Sequence, residues 1–126
     1  MMLKNILVVG IGGGLGSIAR YLCQKYFYEL HPHPFPFGTL IVNVFGCFLI
    51  GLIYSLAEKG NILTPEWRLF LTTGICGGFT TFSAFAYENV ALLKTGDVLY
   101  FCLYIAVSVV LGIAATFAGI AVLKSI

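Results

Sequence analysis

Four long apolar stretches, divided by short polar interruptions, make up the chain. They run from about residue 3 to 27, 38 to 57, 66 to 93 and 98 to 123. A helix needs about 20 residues to cross a hydrocarbon layer, so each stretch predicts a membrane-spanning helix. The interruptions carry turn chemistry. His31-Pro32-His33-Pro34-Phe35-Pro36 alternates prolines and cannot be helix interior. It reads as a loop, and its histidines, joined by no carboxylate or cysteine, read as surface residues. A second loop opens at Glu58-Lys59-Gly60-Asn61. Thr64-Pro65-Glu66 predicts the next helix start, with a cap, a proline in the first turn and an acid. Trp67 and Arg68 suit the membrane interface.

Polar and small positions inside the apolar stretches narrow the picture. Segment one carries Gly10, Gly12, Gly13, Gly14 and Gly16, a face for close helix contact. Arg20 near its end either snorkels to the interface or faces a water-filled vestibule and attracts anions. In segment two, Thr39 and Asn43 share a helical face. A buried amide must find partners, so Asn43 either bonds another helix or offers a donor to a polar pathway. Segment three is longer than a span requires and holds Gly77-Gly78-Phe79-Thr80-Thr81-Phe82-Ser83-Ala84-Phe85. Gly77-Gly78 is a poor helix interior, costing roughly 1 kcal/mol per glycine against alanine. The expectation is two half-helices broken at Gly77-Gly78, with backbone carbonyls freed at membrane depth. Such carbonyls are tolerated only in protein, beside a watery cavity or on an ion. The glycines alone also suit a plain packing face. Phe82 and Phe85 share a face, and Glu88 follows close to it. In segment four, Tyr104, Ser108, Gly112 and Thr116 recur at helical spacing, as a packing seam or the wall of a polar track.

Composition confirms the class. The 126 residues are 60% hydrophobic and only 10% charged, and mean hydropathy is +0.99. A soluble domain of this size has too little interior for that much apolar surface. The expectation is one transmembrane domain over residues 1–126 and no soluble domain. The start of the chain resembles a secretory leader, but the apolar run continues past Arg20 into Tyr21 and Leu22, so it reads as the first span. Cys23, Cys47, Cys76 and Cys102 fall one per segment and read as small buried residues. A net charge of +2 is too small to argue for nucleic acid. Lys4, Lys59, Arg68 and Lys124 share one side against Lys25, Lys94 and Arg20, a bias weak enough for insertion in both orientations.

The chain resembles the Fluc (CrcB) fluoride channels over essentially its whole length. The resemblance rests on Gly12-Gly13-Gly14-Leu15-Gly16-Ser17-Ile18-Ala19-Arg20-Tyr21, on Gly38-Thr39-Leu40-Ile41-Val42-Asn43-Val44-Phe45-Gly46, and above all on Gly77 through Phe85. It implies an all-α membrane protein of four transmembrane helices per subunit, paired as an antiparallel, dual-topology homodimer with two pores. It implies passive export of fluoride across the prokaryotic inner or plasma membrane, relieving fluoride toxicity, and no enzyme activity. It implies a central structural Na⁺ held by the Gly77 and Thr80 carbonyls of both subunits. Phe82 and Phe85 would line the fluoride pathway with Asn43, Arg20 would sit in the vestibule, and Thr39, Ser83, Glu88, Tyr104 and Ser108 would form a polar track. Two departures stand out: Ala84 where the family usually has threonine, and Gly112 where some members carry serine.

The alternative is a small dual-topology multidrug-type transporter, which needs an acid deep in its first span to couple protons to a cationic drug. Segment one has no Asp or Glu before Glu29. A purely structural subunit needs the glycine faces but not the clustered hydroxyls and Asn43. An enzyme would need a nucleophile–base pair or metal-ligand set, and the sequence displays neither.

Overall fold

The computed structural model describes residues 1–60 and 62–124; Asn61, expected in the second loop, lies outside them. Among the described residues every regular element is helical. The helices are α1 (Met2–Leu30), α2 (Phe37–Glu58), α3 (Pro65–Leu69), a π-helical stretch (Phe70–Cys76), α4 (Gly77–Phe79), α5 (Phe82–Lys94) and α6 (Val98–Lys124). α1, α2, α6 and the composite run Pro65–Lys94 are each long and apolar enough to cross a membrane. At about 1.5 Å per residue, the 29 residues of α1 exceed the thickness of a hydrocarbon core. Thr64 starts the third span: its Oγ1 accepts the Trp67 amide at 3.2 Å, and Pro65 occupies the first turn. There Pro costs nothing, because that turn's N–H groups have no helical partner.

The interior is small. Tyr104, Val42 and Cys76 are buried almost completely, while Ile11 on α1 and Phe117 on α6 stand 62% and 68% exposed. Large apolar side chains on the outside are stable against lipid tails and costly against water. The protein is a multi-pass integral membrane protein. Helix contacts are backbone-close where small residues permit it. A Cβ on Gly119 of α6 would overlap the Phe48 carbonyl of α2, and one on Gly51 would overlap the Thr116 carbonyl. Dispersion and close approach, rather than water exclusion, hold such pairs in a bilayer. α1 seats against the first half of the third span in the same way, and α5 lies against α6.

Candidate ion pathway

The third span stays helical through Gly77-Gly78 and breaks at Thr80-Thr81. Gly77 has φ −62° and ψ −38°, whereas Thr80 (φ −85°, ψ 159°) and Thr81 (φ −152°, ψ 116°) are extended. The expected break at Gly77-Gly78 is therefore corrected, and the reason is tertiary. A Cβ on Gly78 would overlap the Gly13 carbonyl, with Gly13 Cα at 3.0 Å. That glycine exists to let α1 approach, and the contact holds it helical despite its low propensity.

Side chains from α1 and α2 hold the break. Asn43 Oδ1 accepts the Thr81 amide at 2.8 Å, and Asn43 Nδ2 donates to the Thr81 carbonyl at 3.1 Å. Thr81 in turn caps α5, its Oγ1 accepting the Ala84 amide at 3.1 Å. Arg20 Nε donates to the Gly78 carbonyl at 3.1 Å, and Ser17 Oγ reaches the same oxygen at 3.5 Å. Arg20 is thus half-buried and tied to the break. In an uninterrupted helix the amide of residue i closes on the carbonyl of residue i−4. The Thr81 amide would close on Gly77 and the Ala84 amide on Thr80, yet side-chain oxygens take both. The Gly77 and Thr80 carbonyls have lost their helical partners, and a set of neutral carbonyl oxygens suits a hard monovalent cation such as Na⁺. The chain's own fit to the expected ion rests on that pair.

A groove of about 360 Å³ opens beside the break. Asn43, Thr80, Thr81, Phe82, Phe85 and Ser108 line it together with Gly46, Cys47, Ile50, Val109 and Thr116. The Phe82 and Phe85 rings lie 5.7 Å apart at 42°. Phe82 is 78% exposed at the groove's edge, while Phe85 packs on Tyr104 at 4.9 Å. Ser108 Oγ is buried in this wall and has no hydrogen-bond partner.

Across the Phe85–Tyr104 contact lies a polar column. Gln24 Nε2 donates to Thr39 Oγ1 at 3.0 Å, Thr39 Oγ1 donates to Glu88 Oε2 at 2.7 Å, and Tyr104 OH donates to Glu88 Oε1 at 2.8 Å. Each carboxylate oxygen takes one donor, which satisfies an acid at membrane depth. Thr39, Glu88, Gln24 and Ala84 border a second cavity of about 360 Å³, at the end where His31 and His33 sit. His33 Nδ1 accepts the Phe35 amide at 3.0 Å and its ring meets Phe37 and Tyr100. No trio of His, Cys, Asp or Glu among the described residues is placed to hold a metal.

The expected residues thus fall into groups. Asn43, Phe82, Phe85 and Ser108 meet at the groove; Thr39, Glu88 and Tyr104 meet in the column; Arg20 grips the break. Ser83 joins neither cavity: it is exposed, with its Oγ 3.3 Å from Thr81 Oγ1. Thr81 and Gln24 escaped the sequence reading. Gln24 was detectable, because Ser17, Arg20 and Gln24 recur at steps of three and four and so share one face of α1. Thr81 carried no local signal; its part depends on Asn43, distant in sequence.

Comparison with known proteins gives the family. The family described as "CrcB-like protein, Camphor Resistance (CrcB)" matches residues 7–120. A protein of Chlorobaculum tepidum is 50% identical over 119 residues, covering 94% of each chain. One from Flavobacterium psychrophilum is 44% identical over 98% of this chain and 100% of its own length. One from Leptospira interrogans is 43% identical over 97% of this chain and 96% of its own. All three bear the name fluoride-specific ion channel FluC. With a match of this length, the chain belongs to the CrcB family.

Proposed function

We propose that the chain is a fluoride-selective passive channel, working as an antiparallel pair of copies with a structural Na⁺ between them. The observation that carries the reading is Ser108 Oγ, a buried hydroxyl without a partner, on the groove that Asn43, Phe82 and Phe85 share. An unpaired buried donor is costly, and a small anion satisfies it. The names of the relatives point the same way.

Fluoride is small and strongly hydrated, so the protein must replace its water with donors. Ser108 offers O–H, and Asn43 retains the second hydrogen of its Nδ2 after bonding Thr81. The ring edges of Phe82 and Phe85 carry partial positive charge and suit an anion, whereas the faces repel it. Beyond Phe85, the Thr39 and Tyr104 hydroxyls converge on Glu88. An anion entering that column takes donors that the carboxylate otherwise holds. The Gly77 and Thr80 carbonyls, with those of a second copy, would hold Na⁺, whose charge offsets the cost of an anion at membrane depth. The weak Lys/Arg asymmetry supports dual topology. The carrier alternative lacks an acid in α1 before Glu29.

Liposomes containing the purified protein decide the matter. Fluoride should leave them down its gradient, read by a fluoride electrode, with chloride efflux far slower and no dependence on a proton gradient. Equal rates for the two halides, or proton-coupled flux, would overturn the reading. A Lys59→Cys protein should be labelled by an impermeant thiol reagent from both membrane faces; labelling from one face only would exclude dual topology.

A further inference from the structure

We infer that Asn43 is the positioning residue that keeps the third span open, and so sets how well the Gly77 and Thr80 carbonyls take a cation. This rests on the proposed cation site for its consequence, but not for its geometry.

A primary amide is the side-chain group that reproduces a peptide, presenting one carbonyl and one N–H₂. Asn43 uses both on a single residue, pairing with the amide and the carbonyl of Thr81 as a neighbouring strand would. The captured Thr81 amide is the group that would otherwise close on Gly77. The α2 backbone is close enough for a short side chain to reach, because position 46, one turn on, is glycine. A Cβ on Gly46 would overlap Thr80 Cγ2. Once Thr81 is extended, its hydroxyl is free to cap α5 through the Ala84 amide, which releases the Thr80 carbonyl as well. One side chain on α2 therefore frees two carbonyls on another span. In this account, flux lost on changing Asn43 comes through the break as well as through any donor to the anion.

The test separates the two roles by hydrogen exchange at Thr81 and by the sodium dependence of thermal unfolding, both on the purified full-length protein. In the native protein the Thr81 amide should be protected although it lies outside any helix. Exchange there as fast as a free amide would overturn the proposal. In Asn43→Ser, whose side chain is too short to span both groups, the Thr81 amide should exchange about tenfold faster, the factor expected for one lost buried hydrogen bond. The sodium concentration giving the half-maximal shift in unfolding temperature should rise by a similar factor. Asn43→Asp keeps an acceptor for the amide and should retain the protection while losing flux. Phe82→Leu, on the same groove but not bonded to Thr81, should change neither exchange nor sodium dependence. Wild-type exchange in folded Asn43→Ser would overturn the proposal. If the unaltered protein shows no sodium dependence at all, the cation site fails while the exchange result still decides the role of Asn43.

Discussion

The third span has two faces built on opposite rules. Toward α1 it is closed, glycine backbone against glycine backbone, with no room for an added methyl at Gly78. Toward α2 and α6 it is open, with extended Thr80 and Thr81, an exposed Phe82 and a groove of about 360 Å³. The closed face holds residues that a helix disfavours and keeps them helical. The open face holds threonines that a helix tolerates and leaves them extended. Conformation in this span follows from what captures each backbone amide, and intrinsic propensity comes second.

The sharpest way to break the comparison uses adjacent glycines. Gly78→Ala drives a methyl into the Gly13 backbone, which cannot move aside like a side chain. It should cost roughly 3 kcal/mol or more, read as loss of monodisperse protein or a collapsed unfolding temperature. At Gly77 a methyl meets only the Thr72 carbonyl, at 3.6 Å. Gly77→Ala should fold, gaining up to about 1 kcal/mol from helix propensity. Equal damage at both positions would erase the distinction between the faces. A stable Gly77→Ala protein that no longer pairs would show that this methyl meets a second copy.

On the open face, the rings sharpen the comparison. Phe82 is 78% exposed, so Phe82→Leu should change stability by no more than about 0.5 kcal/mol. Phe85 packs against Tyr104, so Phe85→Leu should cost about 1 kcal/mol. Fluoride flux should nevertheless fall by orders of magnitude in both, because the lost group is the positive ring edge. Flux that tracked stability, normal in Phe82→Leu and reduced in Phe85→Leu, would make the rings plain filling.

How far these features were legible in the sequence differs between the faces. The four spans were legible because a bilayer demands long apolar runs. Helical spacing paired Thr39 with Asn43 and Phe82 with Phe85, each within one span. The groupings across spans, Thr39 with Glu88 and Tyr104 and Asn43 with the two rings, were implied by the family resemblance and not by spacing. The structure parts Thr39 from Asn43. The site of the break was not legible. Local propensity points to Gly77-Gly78, while Asn43 and Gly13, both far away in sequence, decide for Thr80-Thr81. The side of α5 that Ser83 faces was also hidden, because the break resets the helical phase on which any face count depends.

The smallest expected effect lies on the groove's far wall. Thr116 Oγ1 donates within α6 to the Gly112 carbonyl at 3.1 Å and reaches the Cys47 carbonyl at 3.2 Å, so its hydroxyl is turned to backbone. Ser108 is then the buried α6 hydroxyl without a hydrogen-bond partner, in the groove's wall. A Cβ at Gly112 meets only Cys47 Sγ, at 3.5 Å, an ordinary van der Waals distance. Gly112→Ser therefore fits, and it places a second hydroxyl one turn from Ser108. Stability should rise by about 0.5 kcal/mol from helix propensity. An added donor lowers the cost of a desolvated anion only part of the way along the track, so fluoride efflux should rise by about twofold. The same liposome measurement checks it, with Ser108→Ala as the opposing variant, expected to reduce efflux. If Gly112→Ser instead blocked fluoride as completely as Phe82→Leu, the space beside Cys47 would itself be the path, and the open face would extend a turn further along α6 than its free hydroxyl marks.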